Sequence, residues 1–247
     1  MYGGFSATFL VGTCLLVLAS PVRSEDKMQQ ARDEQIARLT QSLQKEPDNV
    51  RLYSQRGDAY FFSAKFDKAV ADYEKMVELD SKLEPYHWRR GIAYYYAGKY
   101  DKAAGQFELY HQIDDMDREN GIWRFLSQAK LMGIEKARAK LIRYSKDDRA
   151  PLPEVYRMFA GETTGAEIIK SIKAAQLDKE ERNKRLFYAQ LYIGLLADID
   201  QQPEIAKPAL KAAAENPWPK QGGPGYMKHC ARLHLELLTN KSKQKSP

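Results

Sequence analysis

The feature that most constrains the fold is a pattern of small and aromatic residues that recurs after 34 residues. Each copy has a glycine, a tyrosine three positions later, an alanine nine positions after that, and an aromatic residue four positions further on. The two copies consist of Gly57, Tyr60, Ala69 and Tyr73, and of Gly91, Tyr94, Ala103 and Phe107. With average amino-acid usage, one copy arises by chance at about one starting position in 10⁵. Two copies in register therefore indicate a structural repeat.

Each copy predicts a pair of helices. The first helix of the first pair is expected to run from about Arg51 to Phe62, and the second carries Ala69 and Tyr73 on one face. A glycine inside a helix costs about 1 kcal/mol relative to alanine, and we expect close packing of the second helix against Gly57 to compensate. A single helix pair cannot bury its apolar face alone, so successive pairs are expected to stack.

This pattern resembles the tetratricopeptide repeat, whose signature combines W-x2-L-G-x2-Y with A-x3-F at a period of 34 residues. The resemblance is clear over residues 50–83 and 84–117 and degenerate over 120–145. A further match near the C-terminus keeps the same offsets from the glycine through Gly194, Ala206 and Leu210. The resemblance implies an all-α fold, a right-handed solenoid of helical hairpins.

The remaining segments are predicted from composition and periodicity. A loop at Gly222–Gly225 is expected to precede a terminal amphipathic helix over Tyr226–Leu238. In chain order the segments are an N-terminal capping helix (25–46), the repeat array (47–145), a helical insertion (146–177), a C-terminal repeat with its capping helix (178–239), and a basic disordered tail (240–247).

The first 24 residues differ from the rest of the chain. The stretch from Phe5 to Ser20 carries no charge, and it is followed by small residues and the charged run that begins at Glu25. This pattern predicts a secretory signal peptide over 1–24, cleaved before Glu25, and hence a location in the periplasm or cell envelope. The alternative is an uncleaved membrane anchor, which would be the only contact with a membrane. Cleavage would leave Cys230 as the sole cysteine, so no disulfide could form within the chain.

The charge balance and the histidines favour no nucleic-acid partner and no catalytic site. Lys and Arg number 39 against 33 Asp and Glu, which makes a mixed surface rather than a basic one. Cys230 and His234 share a helical face and are the best candidates for a metal site or an enzyme. Two ligands are too few for a zinc site without partners elsewhere. We therefore expect no enzyme activity, no metal and no cofactor.

The candidate binding residues follow from the resemblance. In tetratricopeptide proteins one face of each first helix lines a concave groove, and the register places nine residues on that face here. They are Arg51, Ser54, Asp58, Phe61, Phe62, Trp88, Ile92, Tyr95 and Tyr96. This set is aromatic and suits an apolar peptide strand or helix. The alternative is that the rings pack against the N-terminal helix or the insertion.

These observations lead to one expected function and two alternatives. We expect a non-catalytic adaptor or scaffold of the cell envelope that binds other proteins in its concave groove, and the order of segments is similar to that of small exported bacterial repeat proteins. Adaptors that bring proteases and murein hydrolases to their substrates are among those proteins. The first alternative is a structural component of envelope assembly that associates with itself. The second is an enzyme that uses Cys230 and His234.

Overall fold

A computed structural model describes residues 21–146, 149–219 and 222–244 of the chain. Within these residues the fold is all α-helical and contains no strand. Most of the predicted signal peptide, residues 1–20, lies outside the described residues. The helices are α1 (Pro21–Lys45), α2 (Val50–Phe62), α3 (Phe66–Leu79), α4 (Trp88–Tyr96), α5 (Tyr100–His111), α6 (Arg118–Met132), α7 (Ile134–Ala139), α8 (Leu152–Ala160), α9 (Gly165–Ala174), α10 (Lys179–Ile199), α11 (Pro203–Glu215) and α12 (Gly222–Gln244), with a short 3-10 helix at Ser81–Leu83.

The recurring glycines lie where paired helices approach most closely. A Cβ atom added to Gly57 of α2 would be 2.5 Å from Cε1 of Tyr73 on α3. The same relationship holds for Gly91 of α4, where the added atom would be 2.6 Å from Cζ of Phe107 on α5. Any side chain at these positions would force the helices apart. The small residue and the aromatic residue of each copy are thus two halves of one packing contact.

Helix boundaries are set by identifiable caps. Asn49 precedes α2, and its side chain accepts hydrogen bonds from the backbone N–H groups of Arg51 and Leu52. Asp178 precedes α10 and accepts from the N–H of Glu181 at 2.8 Å. Each cap satisfies donors that have no partner inside the first turn of a helix. The predicted start of α2 near Arg51 agrees with the structure to within a residue.

The terminal helix differs from its prediction at both ends. The expected loop Gly222–Gly225 is the first turn of α12. Pro224 fits there because the first N–H groups of a helix need no intrahelical acceptor. The helix also continues to Gln244, so residues 240–244 of the predicted disordered tail are helical. Residues 245–247 of that tail lie outside the described residues.

Two further boundaries depart from expectation. Helix α1 begins at Pro21, before the predicted start at Glu25. Helix α7 ends at Ala139, before the end of the degenerate repeat predicted over 120–145. Beyond its end, the carbonyl groups of Lys140 and Ile142 accept hydrogen bonds from the side chains of Arg124 and Tyr156. These side chains engage carbonyl groups that a continuing helix would use internally.

The insertion is helical as predicted and contains two short helices, α8 and α9. Leu152, Val155 and Phe159 of α8 are fully buried and belong to the same apolar core as the helix pairs. The insertion is therefore part of the packed molecule. Among the described helices, none combines the length and the apolar character needed to cross a membrane.

Candidate functional site

Helix α12 covers much of the predicted aromatic groove. The ring of Tyr226 on α12 stacks on Phe61 with centroids 5.4 Å apart, and it meets Phe62 at 4.8 Å and Trp88 edge-on at 5.0 Å. Phe61 has no exposed surface as a result of its packing, and Tyr226 is 7% exposed. Phe61, Phe62 and Trp88 thus each meet a ring of the C-terminal helix, a contact that the sequence pattern does not predict.

A second contact between α12 and the groove is polar. The hydroxyl of Tyr96 and Nδ1 of His234 are 3.0 Å apart, and Nε2 of His234 is 3.2 Å from a carboxylate oxygen of Asp198 on α10. His234 is 6% exposed and therefore buried. Both of its ring nitrogens have hydrogen-bond partners within the chain. This arrangement joins α4, α10 and α12.

Cys230 lies on the buried side of α12 and has no exposed surface. Burial raises the pKa of its thiol well above the usual value, with a smaller contribution from the charge of Asp58. A buried thiol with a raised pKa is a poor nucleophile, because the thiolate is the reactive form. Within the part of the chain that the structure describes, no three His, Cys, Asp or Glu side chains are placed to hold a metal ion.

The polar groove residues on α2 form an internal network. Arg89 donates from Nη1 to both carboxylate oxygens of Asp58, at 2.8 and 2.6 Å, and from Nη2 to the hydroxyl of Ser54 at 2.9 Å. Tyr73 also donates to Asp58 at 2.6 Å. Burial raises the pKa of the Asp58 carboxyl, and the guanidinium of Arg89 opposes that shift. Asp58 and Ser54 therefore help to join α2 to α4.

The rest of the predicted groove divides into three environments. Tyr95 is 4% exposed and contacts the rings of Tyr100 and Trp123. Arg51 is exposed at the start of α2. Trp88 and Ile92 line a cavity of about 420 Å³ that lies between α4, α5, α6, α10 and the start of α12.

Six aromatic rings line the cavity. They come from α4, α5, α6, α10 and the segment after α11, and they are Trp88, Phe107, Tyr110, Trp123, Tyr188 and Trp218. The chain has three tryptophans, and all three line this cavity. Met227 and Pro224 of α12 complete the wall. Helix α12 thus fills one part of the groove and bounds the cavity that remains.

Charged groups occupy one side of the cavity, and they are arranged in opposite pairs. Glu119 accepts hydrogen bonds from Arg149 and from the hydroxyl of Tyr192. Asp117 accepts from the side chain of Asn120 at 2.8 Å and lies 3.7 Å from Arg149. Burial raises the pKa of the Asp117 carboxyl, and the positive charge of Arg149 opposes the shift.

The fourth charged group of the cavity is Lys184, which pairs with Glu181 at 3.3 Å. Two acidic and two basic side chains therefore line the cavity, and their formal charges balance. The guanidinium of Arg149 also lies 5.6 Å from the ring centroid of Tyr188, within cation–π range. The cavity offers an aromatic interior with a polar side that carries no net charge.

The repeat pattern predicts Trp88 and Ile92 for the groove and Phe107 for helix packing, but it does not predict Arg149, Lys184, Tyr188 or Trp218. Arg149 belongs to the insertion, Lys184 and Tyr188 to α10, and Trp218 to the segment that follows α11. No periodicity connects positions so far apart in the chain. The rarity of tryptophan was the one available signal, because all three tryptophans meet here.

Comparison with known proteins provides no identification. The models of known protein families do not match this chain. A search of curated proteins also returned no significant match.

Proposed function

We propose that this chain is a non-catalytic protein-binding scaffold of the tetratricopeptide type, and that the cavity on its concave face receives a bulky apolar side chain from a partner protein. The observation that carries the proposal is the cavity itself. Its volume of about 420 Å³ lies within the range of about 300–1,000 Å³ that is typical of ligand sites in proteins. Trp88 and Ile92 of the predicted groove are part of its wall.

The chemistry of the wall defines the kind of side chain. Six aromatic side chains favour an apolar or aromatic group, and such anchors supply much of the binding energy in protein interfaces. The balanced charges of Asp117, Glu119, Arg149 and Lys184 provide no net attraction for an ion. They suit the amide groups of a peptide backbone beside the anchor, since amides can both donate and accept hydrogen bonds.

The packing of α12 supports the same function. This helix places Tyr226 among Phe61, Phe62 and Trp88, which is how an amphipathic helix occupies an aromatic groove. The groove surface is thus of a kind that accepts a helix or peptide. We further propose that the scaffold acts in the cell envelope, on the basis of the uncharged stretch Phe5–Ser20 and the small residues that follow it.

Site-specific cross-linking tests the proposal. A photoreactive phenylalanine analogue placed at Lys184, whose side chain is 28% exposed at the cavity, should capture a discrete partner in the native cell. The matched control is the same analogue at Lys211, which is 65% exposed and does not line the cavity. We expect capture from position 184 alone, and we expect Trp88→Ala to abolish it while helicity by circular dichroism is retained.

The captured partner then allows a direct measurement. A peptide from its cross-linked segment should change the intrinsic fluorescence of the protein, because all three tryptophans line the cavity. Identical capture from positions 184 and 211, or capture that persists in folded Trp88→Ala protein, would contradict the proposal.

A further inference from the structure

A second surface of a different kind lies between α9 and α11. These two helices both pack on α10 and flank an open groove of about 1330 Å³, here termed the α9–α11 groove. Its floor includes Ile193 and Ala197 of α10, with Ile169 on the α9 side and Ile205 on the α11 side. Ile205 is 44% exposed, which makes it one of the few large apolar side chains at the surface of the described residues.

This groove is separate from the aromatic cavity. Helix α10 contributes Tyr188 to the cavity and Ala197 to the groove. At about 100° per residue, the nine positions between them turn the helix through roughly two and a half turns, so these side chains lie on opposite faces of α10. A ligand in one site therefore does not occupy the other.

Helix α11 presents two apolar stripes. Ala206, Leu210 and Ala213 have no exposed surface and form the stripe that packs into the core. A second stripe contains Ile205 and Ala209 and lines the groove. A helix at the edge of a soluble domain needs one apolar stripe for its own packing. Ala209 also packs partly against the core, whereas Ile205 stays exposed and is surplus to the packing of this chain, which is typical of a surface that meets a partner.

The charges along the groove are asymmetric. Lys170 and Lys173 lie one turn apart on α9, both are exposed, and neither forms an ion pair within the described residues. Arg138 lies at the same groove but pairs with Glu135, so the unpaired positive charge comes from the two lysines; Asp200 is the one carboxylate among the described residues that line the groove. A partner that fills the groove would therefore gain from negative charge on the edge that faces α9.

We propose that the α9–α11 groove docks an amphipathic helix of another protein that carries acidic residues along one edge. The groove is larger than the range of about 300–1,000 Å³ typical of small-molecule sites, so it suits a polypeptide. The surrounding described structure is entirely helical and offers no strand edge for an extended peptide to extend. The apolar stretch Phe5–Ser20 of this chain is not the expected occupant of the groove, because it contains no acidic residue that could pair with Lys170 and Lys173.

Two designed peptides test this docking. Each is an amphipathic helix of about five turns with a leucine and alanine stripe. One carries glutamate along an edge of the stripe, and the other carries lysine at the same positions. Fluorescence anisotropy with the full-length protein should show saturable binding of the glutamate peptide, with the lysine peptide at least about tenfold weaker.

Variants on both walls complete the experiment. Ile205→Asp should abolish binding of the glutamate peptide, and Lys170→Glu with Lys173→Glu should weaken it at least about tenfold. The matched control is Lys179→Glu with Lys211→Glu, which makes the same charge change on exposed lysines outside the groove and should leave affinity unchanged.

The inference is overturned by any of three results. They are the absence of saturable binding, equal affinity for the two peptides, and full binding by the folded Lys170→Glu and Lys173→Glu protein. A fourth result, a concentration-dependent dimer that Ile205→Asp dissociates in sedimentation experiments, would assign the groove to a second copy of this chain instead. The result obtained with the cavity variant Trp88→Ala does not affect this test, because the aromatic cavity and the α9–α11 groove lie on opposite faces of α10.

Discussion

Tyr96 on α4 and His234 on α12 are 138 residues apart in the chain, and their side chains are joined by a hydrogen bond of 3.0 Å. The contact holds the C-terminal helix against the first helices of the array, next to the aromatic cluster around Tyr226. Helix α12 also packs on α11. Helix α12 therefore packs both against the C-terminal repeat and against the helices of the predicted groove.

The packing of Tyr226 in the aromatic cluster predicts that its removal strongly lowers the free energy of unfolding. Tyr226→Ala should lower the free energy of unfolding by about 3 kcal/mol or more, because it removes a buried ring from a packed aromatic cluster. Tyr86→Ala is the control, since that ring is 61% exposed and its loss should cost about 0.5 kcal/mol or less. Urea unfolding measures both. Equal losses of unfolding free energy for the two substitutions would show that the packing of Tyr226 on α12 does not stabilise the fold.

The close approach at Gly57 predicts that even a methyl group is destabilising there. Gly57→Ala places Cβ 2.5 Å from the Tyr73 ring and should cost about 1–3 kcal/mol. Gly105 of α5 is the matched control, because a Cβ there meets no atom within 4 Å. Gly105→Ala should stabilise the protein by up to about 1 kcal/mol through helix propensity. Thermal unfolding should shift in opposite directions for the two variants, and a shift in the same direction would contradict the packing argument.

The ion pair between Arg56 and Asp72 predicts that loss of one partner lowers the free energy of unfolding, because the remaining partner is buried. Arg56 donates to both oxygens of Asp72, at 2.9 and 2.7 Å, and Asp72 is 4% exposed. Arg56→Met should cost about 3 kcal/mol, the lower end of the range for a buried pair, because it leaves a carboxylate buried without its partner. The double variant that adds Asp72→Leu should recover most of that loss.

The surface pair between Lys75 and Glu78 provides the comparison for this measurement. The side chain of Glu78 is 68% exposed, so Lys75→Met should change the free energy of unfolding by no more than about 0.5 kcal/mol. Urea unfolding of the four proteins at neutral pH separates burial from charge pairing. A double variant as unstable as Arg56→Met would show that the loss does not come from the unpaired carboxylate.

His87 predicts a specific dependence of stability on pH. Burial lowers the pKa of its imidazole to about 3, with smaller contributions from Arg89 and Arg90. The ring is neutral in the folded protein, and its Nδ1 accepts a hydrogen bond from the N–H of Arg90 at 3.2 Å. The unfolded chain binds the proton near pH 6.5. Protonation therefore favours the unfolded state as pH falls from about 6.5 toward 3, and His87 contributes no pH dependence above that window.

His87→Asn isolates this contribution. Asparagine can still cap α4 by accepting a backbone hydrogen bond, but it does not titrate. The variant should reduce the slope of unfolding free energy against pH by up to about 1.4 kcal/mol per pH unit within the window, the value for one proton. Denaturant unfolding at a series of pH values gives the slope. The carboxylates titrate in both proteins, so the difference between the two curves is the measurement, and parallel curves would contradict the buried neutral state of His87.

The helical fold and most helix positions could be predicted from local pattern. The spacing of glycine, aromatic and alanine residues predicts the helices that become α2 and α3, and the all-α class is confirmed. These features are local because a cap, an apolar stripe or a missing side chain acts within one helix or between two consecutive helices. The same pattern could not predict the start of α12, since Gly222–Gly225 reads as a loop until Pro224 is placed in a first turn.

What the sequence by itself determined is the set of helices and the pairing of neighbours around Gly57 and Gly91. What only the tertiary structure decided is which faces remain open. Residues predicted for one groove were distributed among a contact with α12, an internal Arg89 network and a cavity that they share with Arg149 and Trp218. The physical reason is that periodicity records which side of a helix is apolar, whereas the partner that covers that side depends on how distant segments return in space.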